Sequence, residues 1–112
     1  MSKLDDLIVR YNAEAVKLKL NLDTAFITAV AKSLGPSIYN ADSETVSSSS
    51  KEELETVKKN FLIKKLGLED SPKLDEAIKE VVEQFGASNR NKYRVLFYAL
   101  LAKKFKKESL YK

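Results

Sequence analysis

Hydrophobic positions recur at steps of three and four residues along most of the chain, which is the spacing of amphipathic helices. The first such segment begins after Ser2, a candidate N-cap, and the second ends at Gly35 and Pro36, which terminate helices. The expected apolar faces are Leu4, Leu7, Ile8, Tyr11, Ala15 and Leu18 in the first segment and Phe26, Ile27, Val30, Ala31 and Leu34 in the second. The first third of the chain therefore predicts two helices.

Two further helices are predicted by their start and stop residues. Ser50 and Glu53 have the spacing of a capping box, and the helix they open ends at Gly67. Ser71–Pro72 combines a cap with a proline at the first helical position, and that helix ends at Gly86. The apolar faces are Leu54, Val57, Phe61, Leu62 and Leu66, then Leu74, Ala77, Ile78, Val81, Val82 and Phe85.

The last predicted helix spans about residues 89–105 and starts near Ser88 or Asn89. It is apolar nearly all round, which is typical of a buried helix. Its apolar residues are Tyr93, Leu96, Phe97, Leu100, Leu101 and Phe105 on one side and Val95, Ala99 and Ala102 on the other. Because no segment shows the period-two alternation of half-buried strands, the prediction is an all-α compact bundle of about five helices around a central, mostly buried last helix.

The connections predict a single helical domain over residues 1–112. Residues 35–50 form a long loop, which could hold a helical turn around residues 43–46, and Ile38 and Tyr39 are expected to anchor it to the core. The serine run 47–50 is interpreted as a flexible linker that ends in an N-cap. The C-terminal tail, residues 107–112, is expected to fray.

Composition restricts the chemistry. The chain has no cysteine and no histidine, so thiolate nucleophiles, zinc-finger spacings and imidazole acid–base catalysis are excluded. We therefore predict no enzyme activity, no catalytic residue, no cofactor and no metal site. No uncharged segment approaches the roughly 20 residues that cross a bilayer, and the N-terminus lacks the pattern of a signal peptide, so a cytoplasmic location without membrane association is expected.

The basic residues are concentrated at the C-terminus, where residues 88–112 contain eight basic side chains and one acidic side chain. Basic groups interleaved with aromatic rings suit phosphate contacts and base stacking. The alternative is that lysines at the end of a buried helix complement the helix dipole and that the acidic middle segment supplies internal partners. The candidate binding surface consists of Arg90, Lys92, Tyr93, Arg94, Lys103, Lys106 and Lys107.

Two features within this charge pattern allow more than one interpretation. Arg94 falls on an apolar face, where it forms either an internal ion pair that anchors the bundle or the cationic floor of an anion-binding pocket. Glu76, Glu80 and Glu83 form a stripe on the fourth helix, which is interpreted as a solvated face or a dock for the basic tail rather than a weak cation site.

Three strings resemble a family of small bacterial proteins known only as a domain of unknown function: "LGPSIYNAD", "VKKNFLIKKLGL" and "SNRNKYRVLFYALL". The resemblance extends over nearly the whole chain and implies a small helical bundle from a bacterial cytoplasm. It implies no activity, ligand or catalytic residue.

The functional expectation is a non-catalytic interaction module that binds a protein partner or itself. The absence of catalytic chemistry and the segregation of charge favour it, because segregated charge orients association. The alternative is a nucleic-acid-binding module that uses the basic segment 88–112.

Overall fold

A computed structural model describes residues 3–39, 44–46, 50–86 and 92–111 of the chain. The helices are α1 (Lys3–Lys17), α2 (Thr24–Leu34), α3 (Lys51–Thr56, continued by the π-helix Val57–Lys65), α4 (Pro72–Phe85) and α5 (Arg94–Lys104), with short 3₁₀ helices at Gly35–Tyr39 and Glu108–Tyr111. Within these described ranges the extended pairing is an isolated bridge between Thr45 and Tyr93. The all-α prediction is confirmed.

Helix α5 is the centre of the bundle. Its residues 95–102 are all buried, and it contacts α1, α2, α4, the π-helix and the last 3₁₀ helix. The predicted central helix is therefore confirmed, but its predicted start near residue 88 or 89 is wrong. The helix begins at Arg94, since Tyr93 is its N-cap and pairs with Thr45 in the isolated bridge. The backbone of Lys92 and Tyr93 pairs with residues 45 and 46 and therefore does not continue the helix. The spacing of apolar residues along the sequence does not predict such pairing.

The predicted starts at Ser50 and Pro72 are confirmed, but Ser71, which precedes Pro72, makes no capping hydrogen bond with its side chain. The cap of α2 was not predicted. Asp23 caps α2 by accepting a hydrogen bond from the Ala25 backbone nitrogen at 3.3 Å. Ser50 caps α3 in the same way through the Glu53 nitrogen at 3.2 Å, and Pro72 is the first residue of α4. Each cap satisfies a backbone N–H that has no partner inside its helix.

The second half of the third predicted helix has π geometry, which the spacing of its apolar residues does not predict. Val57 and Leu66 are nine residues apart, about two and a half turns of an α-helix, so α geometry would place them on opposite faces. The i to i+5 bonds of a π-helix widen each turn, so nine residues make about two turns. Val57, Phe61, Leu62 and Leu66 then lie on the same side, and all four are buried.

The segment after α2 is only partly as predicted. Ile38 is buried and anchors the 3₁₀ helix, whereas Tyr39 is exposed, so the prediction that Tyr39 also anchors it is wrong. Successive residues of a 3₁₀ helix are a third of a turn apart, which prevents both side chains from facing the core. The predicted turn around residues 43–46 and the serine run fall largely outside the described residues, although Val46 is buried.

The C-terminal residues as far as Tyr111 pack on the bundle. Glu108–Tyr111 forms a 3₁₀ helix against α2, and the ring of Tyr111 meets that of Phe26 edge-on with centroids 5.7 Å apart. Over the part of the chain that is described, no helix has both the length and the apolar character needed to cross a bilayer.

Candidate interaction surfaces around the basic segment

The basic segment enters the fold through a short junction between residues 44–46 and residues 92–94. The backbone nitrogen of Val46 donates to the carbonyl oxygen of Lys92 at 2.8 Å, next to the bridge between Thr45 and Tyr93. We call these six residues the junction. It connects the second half of the long predicted loop to the first turn of the central helix.

Arg94 holds the junction to α3. Its guanidinium forms an ion pair with Glu53 and donates to the Tyr98 hydroxyl at 2.9 Å and to the Thr45 carbonyl at 3.5 Å. Burial alone lowers the pKa of Arg94, but Tyr98 and Glu53 outweigh it and raise the pKa above its ordinary value. Arg94 therefore forms the internal ion pair and not the cationic floor of an anion-binding pocket.

The ring of Tyr93 packs on α1. Its centroid lies 5.0 Å from that of Tyr11, and the buried Tyr11 hydroxyl donates to Glu44 at 2.8 Å. Arg10 pairs with the same carboxylate at 3.6 Å. Burial, strengthened by the hydrogen bond to Glu44, raises the pKa of the Tyr11 phenol, so the junction is tied to α1 by a protonated tyrosine.

Lys92 lies inside the protein rather than on its surface. Only 3% of the residue is exposed, and burial lowers the pKa of its ammonium group. A side chain in this position cannot meet a phosphate backbone. Arg90, its neighbour in the candidate surface, lies outside the described residues.

The lysines at the end of α5 are also used within the fold. The ammonium group of Lys103 donates to the carbonyl of Asn21 at 2.6 Å, and Lys104 forms an ion pair with Glu80 of α4. Lys106 is exposed and Lys107 is half-buried beyond the helix end. Of the seven residues in the candidate surface, Lys103, Lys106 and Lys107 thus lie together near one end of α5, separate from Tyr93 and Arg94 at the other.

The glutamate stripe of α4 gives the basic tail one partner. Glu80 binds Lys104, while Glu76 and Glu83 are exposed to solvent. Across the described ranges, no group of three acidic side chains is arranged to hold a metal ion. Glu80 therefore docks one lysine of the basic tail, and the other two glutamates form a solvated face.

A surface feature that the sequence reasoning missed lies on the outer side of α1. Val9 and Val16 are 70% and 78% exposed, and Ala13 between them is exposed as well. The available signal was that these three apolar residues are absent from the predicted buried face, although they share a face of their own at steps of four and three. We call Val9, Ala13 and Val16 the α1 outer stripe.

A cleft of about 380 Å³ lies beside the start of α2. Its lining includes the aromatic residues Phe26 and Tyr111 and the charged residues Lys103, Asp23 and Glu108. Because Asp23 already caps the helix and Lys103 already binds a carbonyl, the cleft presents mixed charge without a cationic focus.

Residues 10–109 match the family described as protein of unknown function (DUF2853). The chain belongs to this family. The DUF2853 match includes the junction, the central helix and the terminal lysines, in agreement with the resemblance seen in the sequence. No curated protein matches the chain, so its function has to be argued from its own residues.

Proposed function

We propose that this DUF2853 chain is a non-catalytic interaction module of the cytoplasm that binds a protein partner or a second copy of itself. The observation that supports it best is the exposure of the α1 outer stripe, at 70% for Val9 and 78% for Val16. Exposed apolar residues are ordinary when scattered singly, whereas a contiguous row on one helix suits a protein contact.

The internal use of the basic residues also favours a protein partner over nucleic acid. Arg94, Lys103 and Lys104 each bind an acceptor of the same chain, and Lys92 is buried. Phosphate binding would have to replace these contacts, which lowers the net gain from each cation.

Light scattering over a range of protein concentrations, at low and at high salt, tests this function together with capture of partners from a lysate. We expect either concentration-dependent association or a reproducibly captured protein. A chain that stays monomeric at every concentration and captures nothing would rule the proposal out.

A nucleic-acid-binding module remains the second candidate because Lys103, Lys106 and Lys107 lie within five residues at one end of α5. If each of these three lysines contacts a phosphate, the logarithm of the affinity for mixed DNA and RNA should fall with the logarithm of the salt concentration with a slope of magnitude about 2 to 3. Changing all three lysines to glutamine should remove that affinity, whereas Lys32→Gln, on α2, should leave it unchanged. Fluorescence anisotropy at about 50 mM salt measures the affinities of the unchanged chain and of the variants. If the unchanged chain does not bind under these conditions, this candidate function is eliminated.

A further inference from the structure

Helix α1 has two apolar faces, and the tertiary structure uses only one of them. Tyr11 and Ala15 are buried against the rest of the bundle. Val9, Ala13 and Val16 form the α1 outer stripe on the other side, at the i, i+4 and i+7 positions that place residues on one helix face. The stripe is about 10 Å long, since each helical residue rises 1.5 Å.

On one flank of this stripe the charges at its two ends have opposite signs, and Arg10, which pairs with Glu44, lies between them. Asp6 lies one turn before Val9, and Lys17 lies directly after Val16. On a helical wheel, steps of about 100° per residue place Asp6 and Lys17 on the same flank of the stripe, within about 20° of one another. Both side chains belong to exposed residues.

This arrangement is complementary to itself. A two-fold axis beside Asn12 and Ala13 sets a second α1 antiparallel to the first and pairs Val9 of one copy with Val16 of the other. Such an axis brings equivalent flanks together, so Asp6 of each copy meets Lys17 of its partner, about 3 Å apart along the helix direction. The surface of an isologous dimer must match itself in this way.

We infer that the α1 outer stripe is the contact through which two copies of this chain associate, with their α1 helices antiparallel. The inference rests on the proposed function and names its partner and surface. The small side chain of Ala13 at the centre permits close approach of the two helices, and the two Asp6–Lys17 pairs fix their direction. One helix pair buries less than the roughly 800 Å² per partner of a standard interface, so the dimer is weak.

Charge reversal tests the pairing directly. Asp6→Lys places two lysines opposite each other in the dimer, and Lys17→Asp does the same with two aspartates, so each variant alone should dissociate about tenfold or more readily than the unchanged chain. An equimolar mixture of the two variants restores opposite charges at both positions and should associate as well as the unchanged chain. Sedimentation velocity measures all three samples, and circular dichroism checks that each variant is folded.

Disulfide trapping tests the relative direction of the two helices. Because the unchanged chain has no cysteine, a disulfide can form only between the introduced residues. Val9→Cys mixed with Val16→Cys should form a covalent dimer readily under mild oxidation, whereas either variant alone should form far less. Glu83→Cys, exposed on α4, reports the rate of random collision.

Three results separate this inference from the proposed function. Restoration by the mixture of charge variants, together with trapping between positions 9 and 16, supports both. A dimer that survives Val9→Lys and Val16→Lys overturns the α1 contact but leaves self-association as the function. A monomer at all concentrations overturns the inference, and the proposed function then survives only through a captured partner protein.

Discussion

The ion pair between Arg94 and Glu53 gives the most informative test of how this fold is held together. The Arg94 side chain, in the first turn of α5, contacts Glu53 of α3 and the Thr45 carbonyl of the junction at the same time. The perturbation is a double-mutant cycle with Arg94→Met, Glu53→Gln and the double variant. Methionine keeps much of the length and the apolar stem of arginine but removes its charge and donors.

The expected magnitude follows from the burial of the two groups. The side chains of Arg94 and Glu53 are only 13% and 27% exposed, so water compensates poorly for a lost partner. Removing one member of a buried pair costs about 3 to 5 kcal/mol, and we expect about 3 kcal/mol for Arg94→Met because Glu53 retains some contact with solvent. Glu53→Gln should cost less, about 1 to 2 kcal/mol, since its amide oxygen can still accept a hydrogen bond.

The assay is urea unfolding followed by far-UV circular dichroism. The coupling free energy of the cycle should be about 1.5 to 2 kcal/mol, and it should change little on raising the salt to about 0.5 M because the pair is shielded from solvent. Lys59 and Glu55 provide a matched control, since they form an exposed ion pair one turn apart on the same helical stretch. That pair should couple by about 0.3 to 0.5 kcal/mol and weaken in salt. A coupling for Arg94 and Glu53 as small and as salt-sensitive as that of the control would refute the reasoning.

Three further perturbations test other parts of the structure. Lys58 pairs with two aspartates, and its hydrogen bond to Asp70 is the largest cause of its raised pKa. Lys58→Met should therefore lower the free energy of unfolding by its full amount at neutral pH and by less as the pH rises above about 10.5, because the unchanged lysine then loses its charge. Urea unfolding at a series of pH values measures this difference. Leu66→Ala should cost about 2 to 5 kcal/mol in the free energy of unfolding because Leu66 is buried, whereas Lys64→Ala should cost no more than about 0.5 kcal/mol because Lys64 is exposed. Equal effects of the two substitutions would contradict the packing of Leu66 in the core. Tyr11→Phe should lower the free energy of unfolding by about 1 kcal/mol because it removes the hydrogen bond to Glu44. Because the pKa of Tyr11 is raised in the fold, the unchanged chain should lose stability above about pH 10 more steeply than the variant, as urea unfolding at a series of pH values would show.

The sequence by itself determined where most helices begin and end, because those signals are local. Ser50 caps its helix through a backbone group three residues away, and Pro72 fits the first turn whatever surrounds it. Burial of α5 was equally evident, since a helix that is apolar all round has to lie inside the protein.

The tertiary structure alone decided what the charged and aromatic residues do. Arg94 and Glu53 are 41 residues apart, and nothing in the spacing of either residue specifies that they meet. The start of α5 depends on pairing between Thr45 and Tyr93, and the π register depends on which face of Val57–Lys65 meets the core. The sequence predicts one binding surface in the basic segment because its charged residues are close together along the chain. Folding separated them, since burial and ion pairing depend on groups that are distant along the chain and adjacent only in space.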